Sequence, residues 1–131
     1  MSGARQLRVV VTVDDYDDAL AFYRDALGLP EIGAFTSPGG RISILDAGRA
    51  TLELADPTHA ANIDHAEVGR RVAPKIRIAF EVDDAVTATH VARAAGAVVV
   101  ADPVRTPWNS LNSRLEAPGG LQLTLFTELG E

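Results

Sequence analysis

A chain of 131 residues has the size of one domain and is long enough to bury roughly two-thirds of the surface its unfolded form exposes. Its 47% hydrophobic and 23% charged residues disfavour disorder and the fibrous and membrane classes. The net charge of −6 argues against a nucleic-acid partner, because that binding needs Lys and Arg set against phosphate. With no cysteine, disulfide staples, thiolate metal sites and a Cys nucleophile are all excluded.

The opening residues lack the long apolar core of a secretion signal, and no run approaches about 18 apolar residues. A cytoplasmic protein with no membrane partner is therefore expected. Residues 7–13, rich in Val, read as a strand that ends at the acidic run Asp14-Asp15-Tyr16-Asp17-Asp18. Those carboxylates suit a helix start, and Ala19, Leu20, Phe22, Tyr23, Ala26 and Leu27 follow at helical spacing until Gly28 stops the helix. Strand-like runs at 31–37, 41–47 and 50–55 come next, parted by Pro38-Gly39-Gly40 and Asp46-Ala47-Gly48.

After a polar linker at about 56–74, the same signals return. A strand at 76–82 leads into Asp83-Asp84, an Ala-rich helix stops at Gly96, and strands follow at 97–101, about 108–116 and 121–127. Val13-Asp14-Asp15 recurs as Val82-Asp83-Asp84 and Gly28 as Gly96, at a nearly constant offset, which indicates duplication. One domain over 1–131 is expected, with module one at about 7–55 and module two at about 75–128. Each module is βαβββ, a small sheet with a helix on one face and a bare opposite face. The α+β fold class follows, with the two sheets paired into a half-open barrel.

Strand alternation places Val9, Val11, Val13, Leu52, Leu54, Ile78, Phe80, Val82, Leu121, Leu123 and Leu125 under the helices. The other face gathers Arg8, Glu53, Arg77 and Thr124, with Thr51, Glu81 and Gln122. An Arg or Glu on such a face is commonly just solvated, but a curved pair of sheets makes these groups converge in a cleft. There the two arginines about Glu53 form either a salt-bridge network or an anion clamp.

The stretch 11–29, above all Phe22-Tyr23 followed by Leu27-Gly28, resembles the start of glyoxalase, bleomycin-resistance and extradiol-dioxygenase proteins, the vicinal oxygen chelate superfamily. Ala79-Phe80-Glu81-Val82-Asp83-Asp84, Ala94-Ala95-Gly96 and Ala117-Pro118-Gly119-Gly120 continue the likeness through the second module. The resemblance implies a His near the start of the first strand and a carboxylate in the last strand of each module in metal-using members. Those four places map onto Arg8, Glu53, Arg77 and Thr124. Only Glu53 keeps a ligand, and guanidinium groups repel a cation while offering it no lone pair. Neither a metal nor any other cofactor is expected there.

His59 and His65, with Asp64 and Glu67 nearby, fall in the linker loop at no standard zinc spacing, and His90 lies mid-helix. The paired glycines are turn glycines rather than a phosphate loop, and no nucleophile elbow appears. The only Trp stands in Thr106-Pro107-Trp108-Asn109-Ser110-Leu111-Asn112. Trp108 reads as an apolar wall of a pocket and Asn109 as a hydrogen-bonding group on its rim; in the plainer reading Trp108 packs on the rim and Asn109 or Asn112 completes a turn. Phe35 is a weaker wall candidate.

The resemblance thus implies a metal-independent protein that binds a small, anionic or antibiotic-like molecule, as bleomycin-resistance proteins sequester theirs, and that forms a homodimer. Arg8, Glu53, Arg77 and Thr124 are the expected floor, and no residue is assigned to catalysis. The competing expectation is a lyase, isomerase or dioxygenase that uses Glu53 as a base or holds its metal at relocated ligands.

Overall fold

In a computed structural model of the chain, residues 8–11, 13–50, 53 and 56–130 are described. Helix α1 (Tyr16–Leu20) starts where the extended Asp15 turns its carboxylate to accept the Asp18 N–H at 3.0 Å, with Asp17 and Asp18 in its first turn. It continues through Ala21–Ala26 as a π-helical turn, in which the Leu27 N–H donates to the Phe22 carbonyl. Strands β1 (Glu31–Ser37) and β2 (Gly40–Leu45) then form an antiparallel hairpin.

The second half is a complete βαβββ unit. Strand β3 (Ile78–Glu81) leads to helix α3 (Ala85–Ala94), then to β4 (Val98–Arg105), β5 (Ser110–Glu116) and β6 (Gln122–Glu128). Asp84 caps α3 by accepting the Val86 and Thr87 N–H groups, and Gly96 at φ +107° takes the left-handed turn out of it. The strand order is β3-β6-β5-β4, with β3 parallel to β6 and the other pairs antiparallel. A parallel pair needs a crossover, and α3 with the β4–β5 hairpin supplies it.

The expected alternation holds across this sheet. Leu115, Leu123 and Leu125 point to the helix side and pack with Phe22, Ala92, Ala97 and Ala117, flanked by Ile78, Phe80 and Val82. Each of the three leucines is fully buried, worth about 2 kcal/mol apiece. Asn112, Arg114, Gln122 and Thr124 face the other way, yet they too are buried.

What covers them is helix α2 (Pro57–Glu67), within the segment expected to be a loop-like linker. Asp56 caps it through the His59 N–H at 2.8 Å, and Pro57 occupies the first turn, where its missing N–H costs nothing. His59 and His65 therefore stand on a helix, both exposed, rather than in a loop. The helix was missed because its buried residues are Asp64 and Glu67, so it carries no apolar stripe.

Residues 8–11 and 13 lie in no strand. Val9 is 58% and Val10 79% exposed, so Val9 and Val11 are not under a helix. Among the described residues, β1 and β2 bond only to one another and no strand pairs with 8–11. Most of the expected strand at 50–55, with Thr51, Leu52 and Leu54, lies outside the described residues. Among the described residues, no helix is long and apolar enough to cross a membrane.

Candidate functional site

The bare face of the four-stranded sheet is polar because β5 and β6 alternate. Arg114 and Thr124 are register partners on adjacent strands, so both side chains rise on the same face. Arg114 is 0% exposed. Its Nη1 donates to Asp64 Oδ1 at 2.7 Å and Gln122 Oε1 at 2.8 Å, and its Nη2 donates to Glu67 Oε1 at 3.1 Å. Its Nε is shared between Glu67 Oε1 and Thr124 Oγ1, both at 3.2 Å. A buried guanidinium is tolerated only when its donors are spent in this way.

The two carboxylates are satisfied in turn. Glu67 accepts from Thr124 Oγ1 at 2.9 Å and from Asn112 Nδ2 at 2.9 Å. Asp64 Oδ2 accepts Arg71 Nη1 at 2.7 Å and the Val72 and Ala73 N–H groups at 2.8 and 2.9 Å. Burial alone would raise the Asp64 pKa, but these backbone donors with Arg114 and Arg71 outweigh it and hold the carboxyl well below its ordinary range.

Arg77 approaches the same cluster from just before β3. Its Nη1 donates to Thr124 Oγ1 at 2.7 Å, and it makes no salt bridge among the described residues. The side chain is half-buried. That burial, then the neighbouring Arg114 charge, lowers its pKa, against the pull of Glu67, Asp64 and Glu53. The arrangement is thus a floor of two guanidiniums: Arg114, which donates from all three of its nitrogens, and Arg77, which makes a single hydrogen bond among the described residues.

A family model matches residues 5–125, that of the Glyoxalase/Bleomycin resistance protein/Dioxygenase superfamily. The chain belongs to this superfamily. Solved structures share its fold: a hypothetical protein from S. aureus is 16% identical with a TM-score of 0.64, over 96% of this chain and 95% of that one. A superfamily member from Sphaerobacter thermophilus is 23% identical with a TM-score of 0.60, over 90% and 92%. A glyoxalase family protein from Bacillus cereus is 19% identical with a TM-score of 0.58, over 99% of each. No curated protein matches the chain.

The residues at the superfamily's metal position do not fit a metal. Thr124 Oγ1 accepts from both Arg77 and Arg114 and gives its own proton to Glu67, so it has no lone pair left for a cation. Two guanidiniums beside it add repulsion. Among the described residues, no group of three or more His, Asp or Glu side chains is placed to hold an ion.

Of the expected floor, the structure joins Arg77 to Thr124. Glu53 is exposed but close enough to act on the Arg77 charge, and Arg8 is exposed. The carboxylate at the centre is Glu67, not Glu53. Trp108, 50% exposed, and Asn109 sit in the β4–β5 turn, beside the Glu128 end of β6. Glu128 is four residues, about 13 Å, along β6 from Thr124. Asn109, in the left-handed region at φ +63°, accepts from Arg105 Nη2 at 2.6 Å and donates to the Gly130 carbonyl, so its amide ties the turn to the segment after β6. Asn112 lies within β5 and serves Glu67, rather than completing a turn. Phe35, 63% exposed, pairs across the hairpin with Ile42. Together with Ser37, Gly39, Gly40 and Arg41 they line an open concavity of about 310 Å³.

Residue patterning missed Arg114. A period-2 reading of β5, with Leu111, Ser113 and Leu115 on one face, would have set Asn112 and Arg114 opposite, and Asp56-Pro57 would have announced the helix above them.

Proposed function

We propose that this chain is a metal-independent member of the superfamily that binds a small organic anion in the cytoplasm, with Arg77 as the charged anchor. The observation that carries the reading is the state of that side chain. A half-buried guanidinium that, among the described residues, donates to one neutral hydroxyl and makes no ion pair is one that a carboxylate, phosphate or enolate can pair with. Thr124 orients it, and Glu53 acts on its charge; Arg8 is the further residue this reading would add to the site. Phe35, on β1, and Trp108 and Asn109, in the β4–β5 turn, are not needed for this reading. Sequestration without turnover agrees with a site whose buried carboxylates, Asp64 and Glu67, are already engaged by donors of the fold. A homodimer accords with the exposed Phe35–Ile42 pair on the hairpin.

A thermal-shift panel of small carboxylates and phosphates identifies a binder, since a ligand held only by the folded state raises its melting temperature. Calorimetry on that binder with Arg77→Ala is expected to show a loss of at least about tenfold in affinity, the size of a charged hydrogen bond. Unchanged affinity would refute the anchor, conversion of the ligand would refute sequestration, and stoichiometric Ni, Zn, Fe or Mn in the purified protein would refute metal independence.

A further inference from the structure

The contact between α2 and the sheet is not built like a core. On the sheet side the covered residues include Asn112, Arg114, Gln122 and Thr124, and on the helix side the buried residues are Asp64 and Glu67. Replacing a buried ion pair by apolar side chains is often neutral or stabilising, so a contact selected for stability alone has no need of this one. Beyond α2 the chain runs through 68–77 without helix or strand, and it leaves the helix at Gly69, φ +87°.

Arg114 here receives two carboxylates at once, from residues three apart on one helix. Arg77 reaches the same Thr124 oxygen and, among the described residues, makes no other hydrogen bond. Lifting α2 would leave two neighbouring guanidiniums on an open polar floor, a pair of positive charges that one doubly charged ligand neutralises as Asp64 and Glu67 do now. We propose that Arg114 is the second half of the anion site, filled in this structure by the protein's own Asp64 and Glu67. A short organic diacid takes their place when α2 lifts from the sheet. This rests on the anion-binding reading of Arg77 and assigns the ligand class and the built-in competitor.

Hydrogen exchange on the full chain tests it, with succinate as probe and acetate and sodium chloride at matched ionic strength as controls. Succinate is expected to speed exchange of the amides at 60–67 at least about tenfold while β5 and β6 keep theirs. Neither control should do so. Glu67→Gln is expected to tighten succinate binding about tenfold, because a weaker internal competitor leaves the open state more populated. Exchange at 60–67 that is unchanged or slowed at saturating succinate overturns the displacement, and this arm needs no variant to fold. Succinate that binds neither the native chain nor Glu67→Gln overturns the diacid site. In both cases the Arg77 reading stands or falls separately, on whether Arg77→Ala abolishes binding of the panel's single-charge ligands.

Discussion

Arg77 and Arg114 donate to one oxygen: Thr124 Oγ1 accepts from Arg77 Nη1 at 2.7 Å and from Arg114 Nε at 3.2 Å. Two like charges are drawn to a neutral atom, and the carboxylates that make this tolerable come from α2. The stability of the floor is therefore tied to the seating of that helix.

Removing one partner of a buried pair that cannot open costs about 3–5 kcal/mol. Here water can reach Arg114 once α2 lifts, so Glu67→Ala is expected to cost no more than about 2 kcal/mol. Urea unfolding measures it. A loss of the full buried-pair size would contradict an openable contact, and Leu123→Ala, in the fully buried core, provides the scale at about 2–5 kcal/mol.

Asp64 makes a second expectation with a definite sign. Its folded-state pKa lies below the ordinary 3.8, so its stabilising contribution is complete above that value and fades as pH falls through the lower, folded-state one. Asp64→Asn should be less stable than the native chain at neutral pH, and the gap should narrow as the solution is acidified below about pH 4. Urea midpoints across that range decide it; a gap that is constant with pH would show that the carboxylate charge is not what matters.

Tyr23 is the one described residue whose buried side-chain hydroxyl has no hydrogen-bond partner. It stands in the π-helical turn with its ring edge-on to Phe22, centroids 5.0 Å apart. Burial pushes its pKa up to about 12. The unfolded chain loses this proton near pH 10 while the folded one keeps it, so stability drops as pH rises through that window. Tyr23→Phe removes a buried polar group that nothing satisfies and is expected to gain about 1 kcal/mol, or about 3–5 °C in melting temperature. It should also remove its share of the alkaline loss. A destabilised variant in calorimetry would mean that the hydroxyl has a partner after all.

Much of module two was legible beforehand. Asp84 and Gly96 bracket α3 as caps do, and the alternation of Ile78, Phe80, Leu123 and Leu125 named the core face. Module one was less so: the Val-rich run at 8–11 has strong strand propensity but pairs with no strand among the described residues, and propensity without a pairing partner does not make a strand. At the site, Arg77 and Thr124 were found by counting faces, while Arg114 was overlooked.

The sequence by itself determined the local rules: where helices start and stop, and which strand residues share a face. Each of these depends on a few neighbouring residues and their chemistry. Which carboxylate answers the arginines was settled only in three dimensions. Glu67 reaches Arg114 from 47 residues away, brought there by a helix whose buried side chains are charged. Hydrophobic periodicity cannot announce such a contact, because its energy lies in hydrogen bonds and ion pairs formed only after the sheet has folded.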